Sequence, residues 1–232
     1  MAKKKRITRK ALLKEPDEFL TFSAKTIQFM QKNQKHVSYT LIGVIVVFLG
    51  FFVFRYYSSV TERKAYALFE QGLVQYVGQA PQGQSTQLEE TAKEKFAEVI
   101  EKYPTTRAGG LSLPLLADMH YRTGSYDNAI ALYEQALKGF EKEPSVLTII
   151  WNSQGYAYEG KKDYQSAVDS FEKVIASEGA FMKADAYFNL GRMYELLNNK
   201  EKALEAYEKV ADLYTDSVHG SLAKEKVRHL KN

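Results

Sequence analysis

Residues 121–137 read YRTGSYDNAIALYEQAL, residues 158–175 read YEGKKDYQSAVDSFEKVI, and residues 194–211 read YELLNNKEKALEAYEKVA. Laid over one another, they put Ala129, Ala167 and Ala203 in one position, 38 and 36 residues apart. Four residues on stand Tyr133, Phe171 and Tyr207; three further on stand Ala136, Val174 and Val210. Upstream, Gly155 pairs with Gly191 and Tyr158 with Tyr194. Spacings of three and four within each stretch are those of an amphipathic helix. Self-similarity at a longer fixed period is the mark of units that cannot bury an apolar face alone and must stack on their neighbours. The reading is all-α, a solenoid of helix pairs. Small residues let the two helices of a pair approach, and the aromatics fill the space between one pair and the next.

Working outward, ETAKEKFAEVIEKYP (90–104) repeats the pattern more loosely, with Ala92, Phe96, Val99 and Pro104 at second-helix positions. Its first helix is expected over 59–77, with QAPQGQSTQ (79–87) as the connecting loop. SVHGSLAKEKVRHL (217–230) reads as the polar-faced capping helix that a terminal repeat needs for solubility. The units are expected at 59–109, 110–147, 148–183 and 184–216, with the cap at 217–231.

Before the repeats, VSYTLIGVIVVFLGFFVF (37–54) carries no charge, and thirteen of its eighteen residues are Leu, Ile, Val or Phe. As a helix it would run about 27 Å, close to the roughly 30 Å hydrocarbon core of a bilayer. A transmembrane helix is expected over 37–57, with Tyr39, Tyr56 and Tyr57 near its ends, where aromatic rings favour the interface. A cleaved leader fits less well, because 36 residues precede the run and no small-residue cleavage site follows it. Residues 1–55 hold eleven Lys/Arg against three Asp/Glu, whereas the whole chain is only +4. The basic flank predicts a cytoplasmic tail, 1–36, and a C-terminal domain, 58–232, outside the inner membrane; in a Gram-negative bacterium that is the periplasm. Within the tail, 17–35 reads as a short, imperfectly amphipathic helix that could lie on the inner leaflet. Gly43 and Gly50, a heptad apart, could admit a close helix neighbour.

The chemistry of an enzyme is not asked for. There are no cysteines, and the four histidines (36, 120, 219 and 229) form no ligand pair. His120 reads as a packing residue at a position where the other repeats carry tyrosine. No nucleophile elbow, phosphate-binding loop or dinucleotide fingerprint is present. The basic charge sits in the tail and not on the folded part, so nucleic acid is not an expected partner. No cofactor and no small-molecule substrate are expected.

Trp151, Gly155, Tyr158, Tyr164, Ala167 and Phe171 resemble the tetratricopeptide consensus; Tyr187, Leu190, Gly191, Tyr194, Ala203 and Tyr207 match nearly as well. Leu113, Leu116, Ala117, Gly124, Tyr126, Ala129 and Tyr133 match more loosely. The resemblance implies a right-handed α-solenoid whose concave face, lined by the first helix of each pair, binds protein segments. Carried onto this chain, the family's groove positions are Asp118, Tyr121 and Arg122; Asn152, Tyr156 and Glu159; and Phe188, Asn189, Arg192 and Glu195. Family members that clamp a terminal carboxylate carry Lys and Asn where this chain has Pro114 and Asp118, which argues against that mode. The layout of basic tail, single membrane helix and tetratricopeptide-like domain is similar to the YfgM-like family of ancillary subunits of the SecYEG translocon. It implies a scaffold beside the secretion channel, with translocon subunits or periplasmic chaperones as partners; an envelope-assembly or regulatory scaffold is the alternative.

Overall fold

The computed structural model describes residues 18–77, 85–177 and 182–232, and every regular element among them is an α-helix. The chain divides into two compact units, 1–59 and 60–232. The expected loop 79–87 lies largely outside the described residues, and Ser85 already begins a helix.

In the first unit, α1 (Glu18–Lys32) ends at Asn33, whose side-chain amide hydrogen-bonds the Phe29 carbonyl at 3.0 Å. Phe22, Ile27, Phe29 and Met30 are all exposed. The next helix, α2 (Gln34–Val77), runs 44 residues. The sequence predicts two helices here, 37–57 and 59–77. They are one, because nothing between Arg55 and Lys64 breaks a helix: the stretch holds neither glycine nor proline. By length and composition α2 can cross a membrane, and none of its apolar window is buried.

The second unit alternates helices in pairs: the end of α2 with α3 (Ser85–Lys102), α4 (Arg107–Arg122) with α5 (Tyr126–Gly139), α6 (Pro144–Lys161) with α7 (Tyr164–Ala176), α8 (Lys183–Leu196) with α9 (Lys200–Leu213), and then α10 (Gly220–Lys231). Three helices start before the repeat boundaries drawn at 110, 148 and 184. The Thr106 hydroxyl caps α4 by accepting from the Gly109 N–H at 3.0 Å, and Pro144 opens α6 at its first turn, where a missing N–H costs nothing. The cap helix begins later than 217, at Gly220.

The turn inside each of the last three pairs is the same device. Gly124 (φ 75°), Lys162 (φ 66°) and Asn198 (φ 57°) each take the left-handed conformation that ends a helix. The next residue's N–H then returns to a carbonyl five residues back: Ser125 to His120 at 2.9 Å, Asp163 to Tyr158 at 2.9 Å and Asn199 to Tyr194 at 2.8 Å. Asp163 and Asn199 also cap the following helix, accepting from the Ser166 and Lys202 N–H groups at 3.2 and 3.1 Å. The reversal is therefore tight, and the two helices of a pair lie close.

Their closeness is set by one small residue against one ring. A Cβ on Gly155 would stand 2.7 Å from the Phe171 ring, and one on Gly191 2.5 Å from the Tyr207 ring. Phe171, Tyr207, Phe96 and Tyr133, one from each pair, are all buried. Each buries on the order of 150–250 Å². Around them lie Ala117, Ala129, Ala136, Ala167, Ala186 and Ala203, so the core is a row of rings separated by alanines.

Candidate protein-binding surface

The first helices of the pairs stand side by side, joined by a ladder of polar contacts. Arg122 of α4 donates to the Tyr76 hydroxyl of α2 at 2.8 Å and lies over its ring, 5.0 Å from the centroid. The Tyr156 hydroxyl of α6 donates to Asp185 at 3.0 Å and accepts from the Asn189 amide at 2.7 Å, both on α8. Arg192 of α8 donates to Asn189 at 2.8 Å and also pairs with Glu159 of α6. From α10, Lys226 pairs with Glu195 at 2.7 Å. His219, at the start of α10, meets Asp185 at 2.9 Å and stacks on Phe188 with centroids 4.4 Å apart.

Of the ten residues expected in the groove, Arg122, Tyr156, Glu159, Phe188, Asn189, Arg192 and Glu195 take part in these contacts and Asp118, Tyr121 and Asn152 do not, and the ten are not equally open. Asn152 and Asn189 are buried, at 5% and 2% exposure. Asp118 is turned to its own pair and accepts from the buried Tyr133 hydroxyl. Tyr121 packs on Tyr126 with centroids 5.8 Å apart. Phe188 is covered by His219 on one side and Tyr207 on the other. Glu195 accepts from the Tyr207 hydroxyl at 2.7 Å as well as from Lys226. Arg122 stays exposed. Four ladder residues escaped the sequence reading: Tyr76, Asp185, His219 and Lys226. Asp185 was findable, because it sits one helical turn before Asn189 and two before Arg192 on the same stripe. The other three come from elements outside the three clear repeats.

The electrostatics follow from this packing. Burial pushes the Asp118 carboxyl above its ordinary range, against the pull of the Tyr133 hydrogen bond and of Arg122. Burial, reinforced by Asp185, pushes the Tyr156 phenol up to about 12. Burial also raises the phenols of Tyr133 and Tyr207. Glu195 is pushed up by burial, but hydrogen bonds from Lys226 and Tyr207 outweigh that and leave its carboxyl below the usual range. Burial and nearby Lys93 hold His120 low, as suits a packing residue. Among the described residues, no three His, Asp or Glu side chains converge on a metal-sized site.

Two features of the surface remain unused internally. Ile149 on α6 and Leu196 on α8, each 47% exposed, continue the stripes through Asn152–Tyr156 and Asn189–Arg192. The Asn152 carbonyl oxygen, the Nδ1 atoms of His120 and His219 and the Ser217 hydroxyl are buried and meet no hydrogen-bond partner among the described residues.

Sequence models described as tetratricopeptide repeats match 66–106, 110–177 and 184–217, together more than half of the 232 residues. The chain is similar to the uncharacterized protein ycf37 of Cyanophora paradoxa, 33% identical over 108 residues, which are 44% of this chain and 60% of that protein. The chain thus spans less than two thirds of that relative's length. Its fold is similar to that of a tetratricopeptide repeat protein from Parabacteroides merdae, with TM-score 0.54 at 17% identity over 75% of this chain and 60% of the other. It is also similar to the MamA protein, with TM-score 0.54 at 20% identity over 71% and 84%. The matched repeats run through all four helix pairs, and the chain from residue 66 to residue 217 belongs to the tetratricopeptide-repeat family.

Proposed function

We propose that this protein is a membrane-anchored scaffold that holds polypeptide segments along the first-helix face of its repeats, on the far side of the membrane from its basic tail. It carries out no catalysis. The observation that carries the binding role is the pair Ile149 and Leu196, large apolar side chains each 47% exposed that continue the polar stripes of the first-helix face.

The charge-free window of α2, entirely unburied, supports the anchor, since the core helix of a soluble protein would be covered. The eleven basic residues before position 56 support an N-terminus held in the cytoplasm. The YfgM-like layout favours partners at the secretion channel, either translocon subunits or periplasmic chaperones. Anchoring would raise the local concentration of the face beside emerging chains, so weak contacts would suffice.

Photo-crosslinkers at Ile149 and Leu196 in the full-length membrane protein test this. Adducts with translocon subunits or periplasmic chaperones are expected. Adducts only with other envelope proteins would replace secretion with an assembly role, and none from either position would remove the binding role.

A further inference from the structure

The two ends of the array are finished differently. The exposed side of α10 carries mostly charge, Lys224, Glu225 and Arg228, beside a lone exposed Leu222. At the other end, α2 beyond Val60 buries Ala65, Phe69 and Gly72 and turns Arg63, Ala67, Glu70, Val74 and Val77 outward, at intervals of three and four. Val74 is 67% exposed. Between this stripe and α3 runs a cleft of about 510 Å³, with Ala67, Glu70 and Val74 on one wall and Thr91 and Lys95 on the other. In a stacked array the corresponding face of every later pair is covered by the pair before it. Here no described segment covers it.

We infer that a second copy of the chain covers this face, each copy's α3 packing beside the other's α2 about a two-fold axis that runs along the α2–α3 pair. The charge pattern selects this occupant. A two-fold contact needs one patch that is complementary to itself. This patch has a carboxylate on one helix, an ammonium on the other and apolar groups between them. α2 and α3 cross at Gly72, where an added Cβ would stand 3.1 Å from the Lys95 Cβ, so Glu70 and Lys95 lie at nearly the same height along the pair. Rotation about an axis parallel to the pair preserves height. Each Glu70 then comes level with the other copy's Lys95, twice over, while Ala67 and Val74 close against the facing α3. No ion pair among the described residues involves Glu70, and Lys95 pairs with Glu98 of its own helix at 3.3 Å on a surface where both side chains are about one third exposed, a contact it would exchange for the facing Glu70. The same axis leaves both Val60 ends pointing the same way, as two chains anchored in one membrane require.

The test uses the full-length chain in detergent micelles, measured by sedimentation equilibrium. A particle holding two 26.4 kDa chains is expected. Glu70→Lys alone should lose the dimer, and Glu70→Lys with Lys95→Glu should restore it. Because the chain has no cysteine, Glu70→Cys and Lys95→Cys can also be placed on two differently tagged, co-expressed copies. Oxidation should then link the two tags in preference to two copies of Glu70→Cys. Glu70 is exposed and Lys95 half-buried, and unchanged thermal unfolding will certify the variants. One chain per micelle, a dimer untouched by Glu70→Lys, or a double reversal that fails to restore it would each overturn the inference.

Discussion

Gly72 meets Phe96 as Gly155 meets Phe171 and Gly191 meets Tyr207: a Cβ on Gly72 would stand 2.9 Å from Phe96 Cε1. The least regular pair is therefore built on the same contact as the clearest ones. Gly72→Ala should destabilise the protein modestly, because only one edge of the ring must shift. Gly191→Ala faces three Tyr207 ring atoms at 2.5–2.7 Å and should cost more, on the order of 1–3 kcal/mol even after the helix gains from losing glycine. Urea unfolding of both variants checks the order. A more stable Gly191→Ala would mean that the pairs do not close on this contact.

That contact also shows how far the sequence could be read. Ala117–Tyr133, Gly155–Phe171 and Gly191–Tyr207 are each sixteen residues apart, so three pairs could be laid over one another by eye. Gly72 and Phe96 are twenty-four apart, and the eight extra residues hid the match. Part of the excess lengthens α3, which begins eleven residues before its ring where α5 begins seven before Tyr133. The helix-pair fold was legible because it rests on local period and tight turns. The binding face was only half legible. Stripe positions follow from helix geometry, but which of them are used internally depends on the neighbouring helix: Phe188 looks free until His219 stacks on it.

Lys162 holds a left-handed turn that Gly124 holds without strain at the equivalent place. For a residue with a Cβ that conformation costs about 1–2 kcal/mol. Lys162→Gly should raise stability by roughly 0.5–1 kcal/mol once the greater freedom of glycine in the unfolded chain is counted. A thermal melt of the variant is the check, and a lowered midpoint would contradict the account of the turn.

Asp118 should make the fold weaker as pH rises. Its folded carboxyl titrates above the ordinary value of 3.8, so the folded state holds the proton more tightly and stability falls as pH climbs from below 3.8 through the raised value. Asp118→Asn keeps an acceptor for the Tyr133 hydroxyl and removes the buried charge. Its melting temperature at neutral pH should equal or exceed that of the natural protein, with a flatter acid profile.

Glu195 acts in the opposite sense. Its folded carboxyl lies below the ordinary 4.5, so its contribution is present above that value and disappears as pH falls through the lowered one. The Lys226 contact that helps seat α10 should therefore fail in acid. Amide exchange in 220–231 should accelerate, relative to α6 and α7, as pH falls through the lowered value of Glu195, and Lys226→Ala should show the faster exchange already at neutral pH.

The central claim, an anchored array facing away from the cytoplasm, is tested most directly by adding protease to cells whose outer membrane has been opened while the inner one is intact. The account predicts cleavage beyond residue 60 at once, with the basic tail protected. Digestion of that region only after the inner bilayer is broken would contradict it.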